Sequence, residues 1–255
     1  MAFAICSVPV SPLRKEPSHK SEMVSQQLFG ELCTILEREE KWLKIRGKYD
    51  GYEGWCQPGH LVEIDDAIYN SENTLLTVDP YTNIRFNGIP MTIPLGSSFP
   101  GIQKGSVLWG NNKVEYGGDY WNTKSVSINP VTIEKIVYKF INTPYLWGGK
   151  SISGIDCSGF AQTVYRFLNI PLLRDASLQA TQGEDIGFLQ LIHPGDLAFF
   201  DNEEGNIVHV GILLNDHEII HSSEKVRVDK IDDRGIINSD TNLRTHNLRM
   251  IKRYF

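Results

Sequence analysis

No stretch of this chain approaches the roughly 18 consecutive apolar residues of a membrane-spanning helix, so no membrane partner is expected. A surplus of basic charge is missing too. Asp and Glu number 31 against 25 Lys and Arg, a formal net charge of −6, which leaves no field for holding nucleic acid or anionic lipid. Cysteines are few and scattered: Cys6, Cys33, Cys56 and Cys157 form no Cys-x-x-Cys pair and no zinc spacing. No His/Asp/Glu cluster has ligand spacing either, so neither a metal nor another cofactor is expected. Isolated thiols suit a reducing compartment. The first residues, Met1-Ala2-Phe3-Ala4-Ile5-Cys6, carry no basic run, and Pro9 and Pro12 interrupt the apolar stretch. They read as a first strand and point to a cytoplasmic location, a processed exported form being the alternative. Internal repeats and low-complexity tracts are absent.

What is present describes an ordinary globular chain, 41% apolar and 22% charged, long enough for two domains or three. Residues 1–64 lack helical periodicity and offer short strand-like runs: Cys33 to Glu37, Trp42 to Arg46, Gly54 to Cys56 and His60 to Ile64. Turn-rich links separate them, which describes a small β-barrel. The order Pro-Leu-Arg, Leu-Phe-Gly-Glu, Lys-Trp-Leu-Lys-Ile and Gly-Tyr-Glu-Gly-Trp-Cys over residues 5–64 resembles a bacterial SH3 domain. Residues 65–128, rich in Gly and Pro turns, read as a second small β module, SH3-like, or as an elaborated linker. At Ser127-Ile128-Asn129-Pro130 the pattern changes. Asn129 is a helix cap and Pro130 suits the first helical position, with Ile133, Ile136, Val137 and Phe140 on one stripe. A second helix is expected from Asp156 to about Leu168. Strands follow at 196–200, 207–214, 218–222, 226–231 and 248–255. Helices first and an antiparallel sheet afterwards make residues 129–255 an α+β domain.

Cys157 lies where a glycine-bearing turn becomes the second helix. Unpaired N–H groups and the helix dipole at that position favour a thiolate, so a lowered thiol pKa is expected. The same N–H groups suit an oxyanion. A nucleophile needs a base, and the base an orienting partner. His209, in Ile207-Val208-His209-Val210-Gly211, and His221, in Ile219-Ile220-His221-Ser222, occupy successive strands joined by a turn at Asn215-Asp216-His217. His209 is the expected base and His221 the residue holding its tautomer. His19, His60, His193, His217 and His246 read as surface or turn residues.

Thr143-Pro144-Tyr145-Leu146-Trp147-Gly148-Gly149, Gly154-Ile155-Asp156-Cys157-Ser158-Gly159-Phe160, His193-Pro194-Gly195-Asp196 and Val208-His209-Val210-Gly211-Ile212 together resemble the NlpC/P60 family of cell-wall peptidases. With an SH3-like first half, the chain is similar to the γ-D-glutamyl-L-diamino acid endopeptidases of that family. The resemblance implies a papain-like α+β fold and hydrolysis of the bond between the γ-carboxyl of D-Glu and diaminopimelate or Lys in murein tri- or tetrapeptides. It implies Cys157 as nucleophile, His209 as base, His221 as third member and Tyr145 beside the oxyanion. Asp156 is implied to bind the free α-amine of an N-terminal L-Ala, with Ser158 and Ser177 as further substrate contacts. Tyr52 and Glu22 are the candidates from the SH3-like half. A preference for a free N-terminus and a part in wall-peptide recycling or turnover follow from the same resemblance. Two alternatives stay open here: a papain-like amidase or acyltransferase, and a non-catalytic adaptor that binds wall peptide. The diamino acid and the oligomeric state stay open as well.

Overall fold

Short runs with alternating apolar positions fold as strands throughout the computed structural model, which describes residues 2–255. Two units result, the first comprising residues up to Ser125 together with Trp147–Ser153. Seven of its strands form one antiparallel sheet: β1 (Ala2–Cys6), β2 (Val10–Arg14), β3 (Met23–Leu28), β4 (Leu32–Arg38), β5 (Leu43–Gly47), β6 (Glu53–Cys56) and β7 (Leu61–Ile64), ordered β3-β2-β6-β5-β4-β1-β7. After a single turn of helix, α1 (Asp66–Tyr69), come β8 (Leu75–Thr77), β9 (Tyr81–Phe86), β10 (Ile89–Pro94), β11 (Ser106–Trp109), β12 (Asn112–Glu115) and β13 (Tyr120–Asn122). Of these, β10-β9-β12-β11 form a second sheet, and β8 pairs with β13. This middle segment shares a core with the first sheet: Ile5, Phe29 and Leu32 pack with Ile84, Ile93, Phe99, Trp109 and Val114. Gly30 makes the close approach possible. Its φ of +81° is a left-handed conformation, and a Cβ there would fall 1.8 Å from the Ser98 carbonyl oxygen. The short strand β14 (Lys150–Ser151) completes the unit, with Lys150 paired to the buried Glu31 at 3.2 Å.

The second unit comprises Val126–Leu146 and Gly154–Phe255. Helix α2 (Pro130–Val137) begins where expected, Asn129 Oδ1 accepting from Thr132 N–H, and buries Ile133, Ile136 and Val137. A two-residue strand, β15 (Gly154–Ile155), leads into α3 (Cys157–Phe167), which is buried along its whole length. Asn169, with φ +61°, ends that helix, and Pro171 prevents its continuation. The short α4 (Ala176–Gln179) precedes the sheet strands β16 (Glu184–Ile186), β17 (Leu197–Asp201), β18 (Ile207–Leu213), β19 (Glu218–Ser223), β20 (Lys225–Asp232), β21 (Gly235–Ile237) and β22 (Arg244–Arg253).

All seven pair antiparallel in the order β16-β22-β17-β18-β19-β20-β21, and β22 also pairs with β21. The sheet therefore closes on itself as a six-stranded barrel with β16 appended, which removes the exposed edges an open sheet would present. Closure depends on the length of β22. It begins at Arg244, four residues before the expected start, so one end reaches β21 through Ile236↔His246 while the other pairs with β17. Ala198, Phe200, Leu213, Ile219, Ile231, Ile236 and Ile251 form its apolar cluster. Each of the Phe, Leu and Ile side chains, fully buried, contributes about 1.5–3 kcal/mol.

Candidate active site

Asp156 starts α3 with extended backbone and accepts from Gly159 N–H at 2.6 Å, the N-cap that places Cys157 on the first turn. The residue is 6% exposed, and its carboxylate is held by Arg174, with Nη1 donating to Oδ1 at 3.0 Å and Nη2 to Oδ2 at 2.6 Å. Arg174 Nη1 also donates to Ser158 Oγ at 2.8 Å. The residues flanking Cys157 are thus joined by one buried guanidinium. The expectation that Asp156 offers its charge to a substrate amine meets this pairing: Arg174 already matches that charge in a fork–fork geometry. Gln179, buried on α4, donates to Ser158 O and Leu173 O at 3.0 and 2.9 Å and so anchors α4 to the start of α3. Ser177 is exposed on that same α4.

The expected lowering of the thiol pKa is corrected. Burial pushes the Cys157 thiol up to about 12, and the neighbouring Asp156 carboxylate adds to the rise. The N–H groups of Val210 and Ser158 and the Arg174 cation pull it back only in part. Helix-start polarity is present, but removal of water from the thiol outweighs it. The Val210 contact also sets the thiol against β18, next to His209.

His209 and His221 are brought together as expected, with a detail that spacing alone does not give. Gly211, not His209, stands opposite His221 in the β18–β19 register, so the two imidazoles are diagonal neighbours. They join at 2.8 Å, His209 Nε2 to His221 Nδ1. A Cβ at Gly211 would come within 2.9 Å of His221 Cβ and 2.6 Å of Ile219 Cδ1; the missing side chain is the space across which His221 leans. Burial, together with the positive potential of His221 and His246, holds His209 well below the ordinary histidine range, so it is a neutral base at pH 7.

Ser222 Oγ donates to Ile155 O at 2.8 Å, tying β19 to the strand before Cys157. Tyr145 is half-buried, its backbone N–H bonded to Glu224 O at 2.8 Å. Burial first, then the potential of Cys157 and Asp156, keeps its hydroxyl well above the ordinary tyrosine range. It is therefore a hydrogen-bond donor beside Cys157.

Three residues of this site escaped the sequence reading. Asp229 on β20 lies with Oδ2 3.0 Å from His221 Nε2. Arg174 was visible only as part of the Arg174-Asp175-Ala176-Ser177 motif. His246, expected at the surface, stacks on His209 with ring centroids 4.2 Å apart and planes 25° apart, because β22 starts early enough to carry it inward. The remaining expected residues, Glu22 and Tyr52, lie in the first unit. There exposed Glu22 accepts from Trp147 Nε1 at 2.8 Å, and half-buried Tyr52 has its N–H on Asp50 Oδ1 at 3.0 Å.

The sequence pattern of the NlpC/P60 family matches residues 142–245, and that of the bacterial dipeptidyl-peptidase Sh3 domain matches residues 13–61. A γ-D-glutamyl-L-lysine dipeptidyl-peptidase of Bacillus subtilis (strain 168) is 30% identical over 217 residues, 78% of this chain and 71% of that protein. Dipeptidyl-peptidase 6 of Lysinibacillus sphaericus is 27% identical over 262 residues, 91% of this chain and 92% of the relative. The crystal structure of an NlpC/P60 family protein from Bacillus cereus superimposes with a TM-score of 0.81 over 99% of both chains, at 19% identity, a likeness of fold.

Proposed function

From a chain that belongs to the NlpC/P60 family and is a cysteine peptidase with an N-terminal bacterial SH3 domain, we propose hydrolysis of the bond between the γ-carboxyl of D-Glu and a diamino acid in murein tri- or tetrapeptides. The observation that carries the chemistry is the joined pair His209–His221 at 2.8 Å, with His209 on the strand that packs against the Cys157 thiol. The dipeptidyl-peptidase relatives support the substrate class. Relatives named dipeptidyl-peptidases release a dipeptide from a free N-terminus, so the reading includes a free N-terminal L-Ala and a part in recycling or turnover of wall peptides. Four free cysteines agree with a cytoplasmic location. A papain-like relationship of helix, barrel and nucleophile belongs to the same reading.

Because burial keeps the thiol protonated and His209 neutral, the resting site holds no preformed ion pair. Cys157 Sγ–H passes its proton to His209 as sulfur adds to the scissile carbonyl carbon. Helix-start N–H groups and the Tyr145 hydroxyl stabilise the oxyanion. His209 then protonates the leaving amine of the diamino acid. Water, deprotonated by the same imidazole, hydrolyses the thioester, returning the thiol and the γ-D-glutamyl acid.

Purified protein is expected to cleave L-Ala-γ-D-Glu-L-Lys or its diaminopimelate counterpart about 100-fold faster than the N-acetylated peptide. Cys157→Ala is expected to lose at least about 10⁴-fold in kcat. Mass spectrometry of products reads both. Equal rates on free and acetylated peptides would remove the free-amine requirement, and full turnover by Cys157→Ala would remove the nucleophile.

A further inference from the structure

His209, His221 and Asp229 form a diagonal row across β18, β19 and β20. His221 stands opposite Arg227, and Asp229 is the next residue on the same face of β20. The row continues the two-residue offset between His209 and His221, so each side chain leans toward the one before it. Asp229 is 2% exposed, which makes its company decisive. Oδ2 faces His221 Nε2 at 3.0 Å, and Oδ1 accepts from Ser239 N–H at 2.8 Å. Arg227 Nε lies 3.0 Å from Oδ2 as an ion pair outside hydrogen-bond angles, and its Nη2 reaches Asp240 at 2.8 Å.

We propose that Asp229 is a positioning residue that sets the direction of the whole hydrogen-bond row and thereby places the basic lone pair of His209 on Nδ1. An ionised carboxylate only accepts, so His221 carries its proton on Nε2. Nδ1 of His221 is then an acceptor, and the 2.8 Å contact runs from His209 Nε2–H. The single ring nitrogen left to take the thiol proton is His209 Nδ1. Burial opposes ionisation of Asp229, but the hydrogen bonds from His221 and Ser239 and the cation of Arg227 outweigh it and hold the carboxyl well below the usual range. When His209 becomes an imidazolium, the charge is met through His221 by a carboxylate.

The reverse arrangement identifies the variant to use. In Asp229→Asn the Ser239 N–H fixes the amide oxygen at the Oδ1 position, which turns the NH₂ toward His221 Nε2. His221 then carries its proton on Nδ1, donates to His209 Nε2, and leaves His209 with its proton on Nδ1. The base has the wrong tautomer for the thiol, although nothing in the substrate site has moved.

This inference rests on the peptidase reading for its kinetic arm alone. Nitrogen-15 NMR of the wild-type imidazoles at pH 7 is expected to show His221 protonated at Nε2 and His209 at Nε2, whatever the substrate. A His221 Nδ1–H in the wild type overturns the proposal. In the kinetic arm Asp229→Asn is expected to lower kcat about 10²- to 10⁴-fold with KM within about threefold, while Asp229→Glu recovers a large part. Unchanged kcat in Asp229→Asn, alongside an active wild type and an inactive Cys157→Ala, also overturns it. A wild type that cleaves no murein peptide sinks the proposed function, and the NMR still decides the tautomer.

Discussion

Asp156 and Asp229 are both buried aspartates next to a residue of the proposed triad, and both pair with an arginine, yet their surroundings differ. Asp156 sits at a helix start and spends its oxygens on Gly159 N–H and on both nitrogens of the Arg174 fork. Asp229 sits on a barrel strand and gives one oxygen to a backbone N–H and the other to an imidazole. Both arginines are buried, but Arg174 joins the buried Asp156–Ser158 pair, whereas Arg227 is shared with the exposed Asp240. A carboxylate in a full fork with a guanidinium supports a conformation. A carboxylate on a ring nitrogen orders protons.

The comparison breaks most visibly in stability. Arg174→Met leaves a buried carboxylate without its cation, and a loss of about 3–5 kcal/mol in the urea unfolding free energy is expected. Adding Asp156→Asn to that variant should restore part of it. Arg227→Met leaves Asp229 with His221 and Ser239 and is expected to cost clearly less. Equal losses would mean that the two arginines do the same work.

Gly211→Ala tests the barrel side through geometry. Its Cβ would displace His221 from the diagonal row without touching Asp156 or Arg174. A shift of about 1 Å at a reacting group costs on the order of 100-fold. A kcat drop of about that size, with the α3 end of the site intact, is expected on the murein tripeptide; wild-type kcat would show that His221 has room elsewhere.

The smallest expected effect is in pH. His246, pulled by burial down to about 4, and His209, lower than usual for the same reason, take up protons more readily unfolded than folded. Their contribution therefore diminishes stability as pH falls from about 6.5 toward 4. The lowered Asp229 carboxyl acts in the same direction further down the scale: its stabilisation is complete above the unfolded carboxyl value near 4 and is lost at still lower pH. Urea midpoints at pH 7 and pH 5 should differ less in His246→Phe, which keeps a stacked ring, than in the wild type. An unchanged difference would show that His246 does not titrate in this window.

Much of this was legible beforehand. Asn129-Pro130 and Asp156 are local capping signals, and both helices begin beside them. His209 and His221 stood out as histidines in apolar strands, and the barrel places them together. Asp229 did not stand out, because Val226-Arg227-Val228-Asp229 reads as a half-exposed strand with charges turned to solvent. Only the closed sheet turns that charged face inward. His246 was missed for a related reason: a strand start at Arg244 follows from pairing with β21, which no property of Arg244-Thr245-His246 announces. The thiol pKa was misjudged in sign because dipole and N–H groups are local and readable, while desolvation is the summed effect of everything packed around the sulfur.

The sequence by itself determined the elements, the caps and the identity of the cysteine and the two histidines, since each depends on neighbours within a few residues. Tertiary structure alone decided the closure of the barrel, the arginine that neutralises Asp156, the carboxylate behind His221 and the protonation of the thiol at rest. Charge compensation and dehydration act through space between residues far apart in the chain, and their sign is set only once the core has formed.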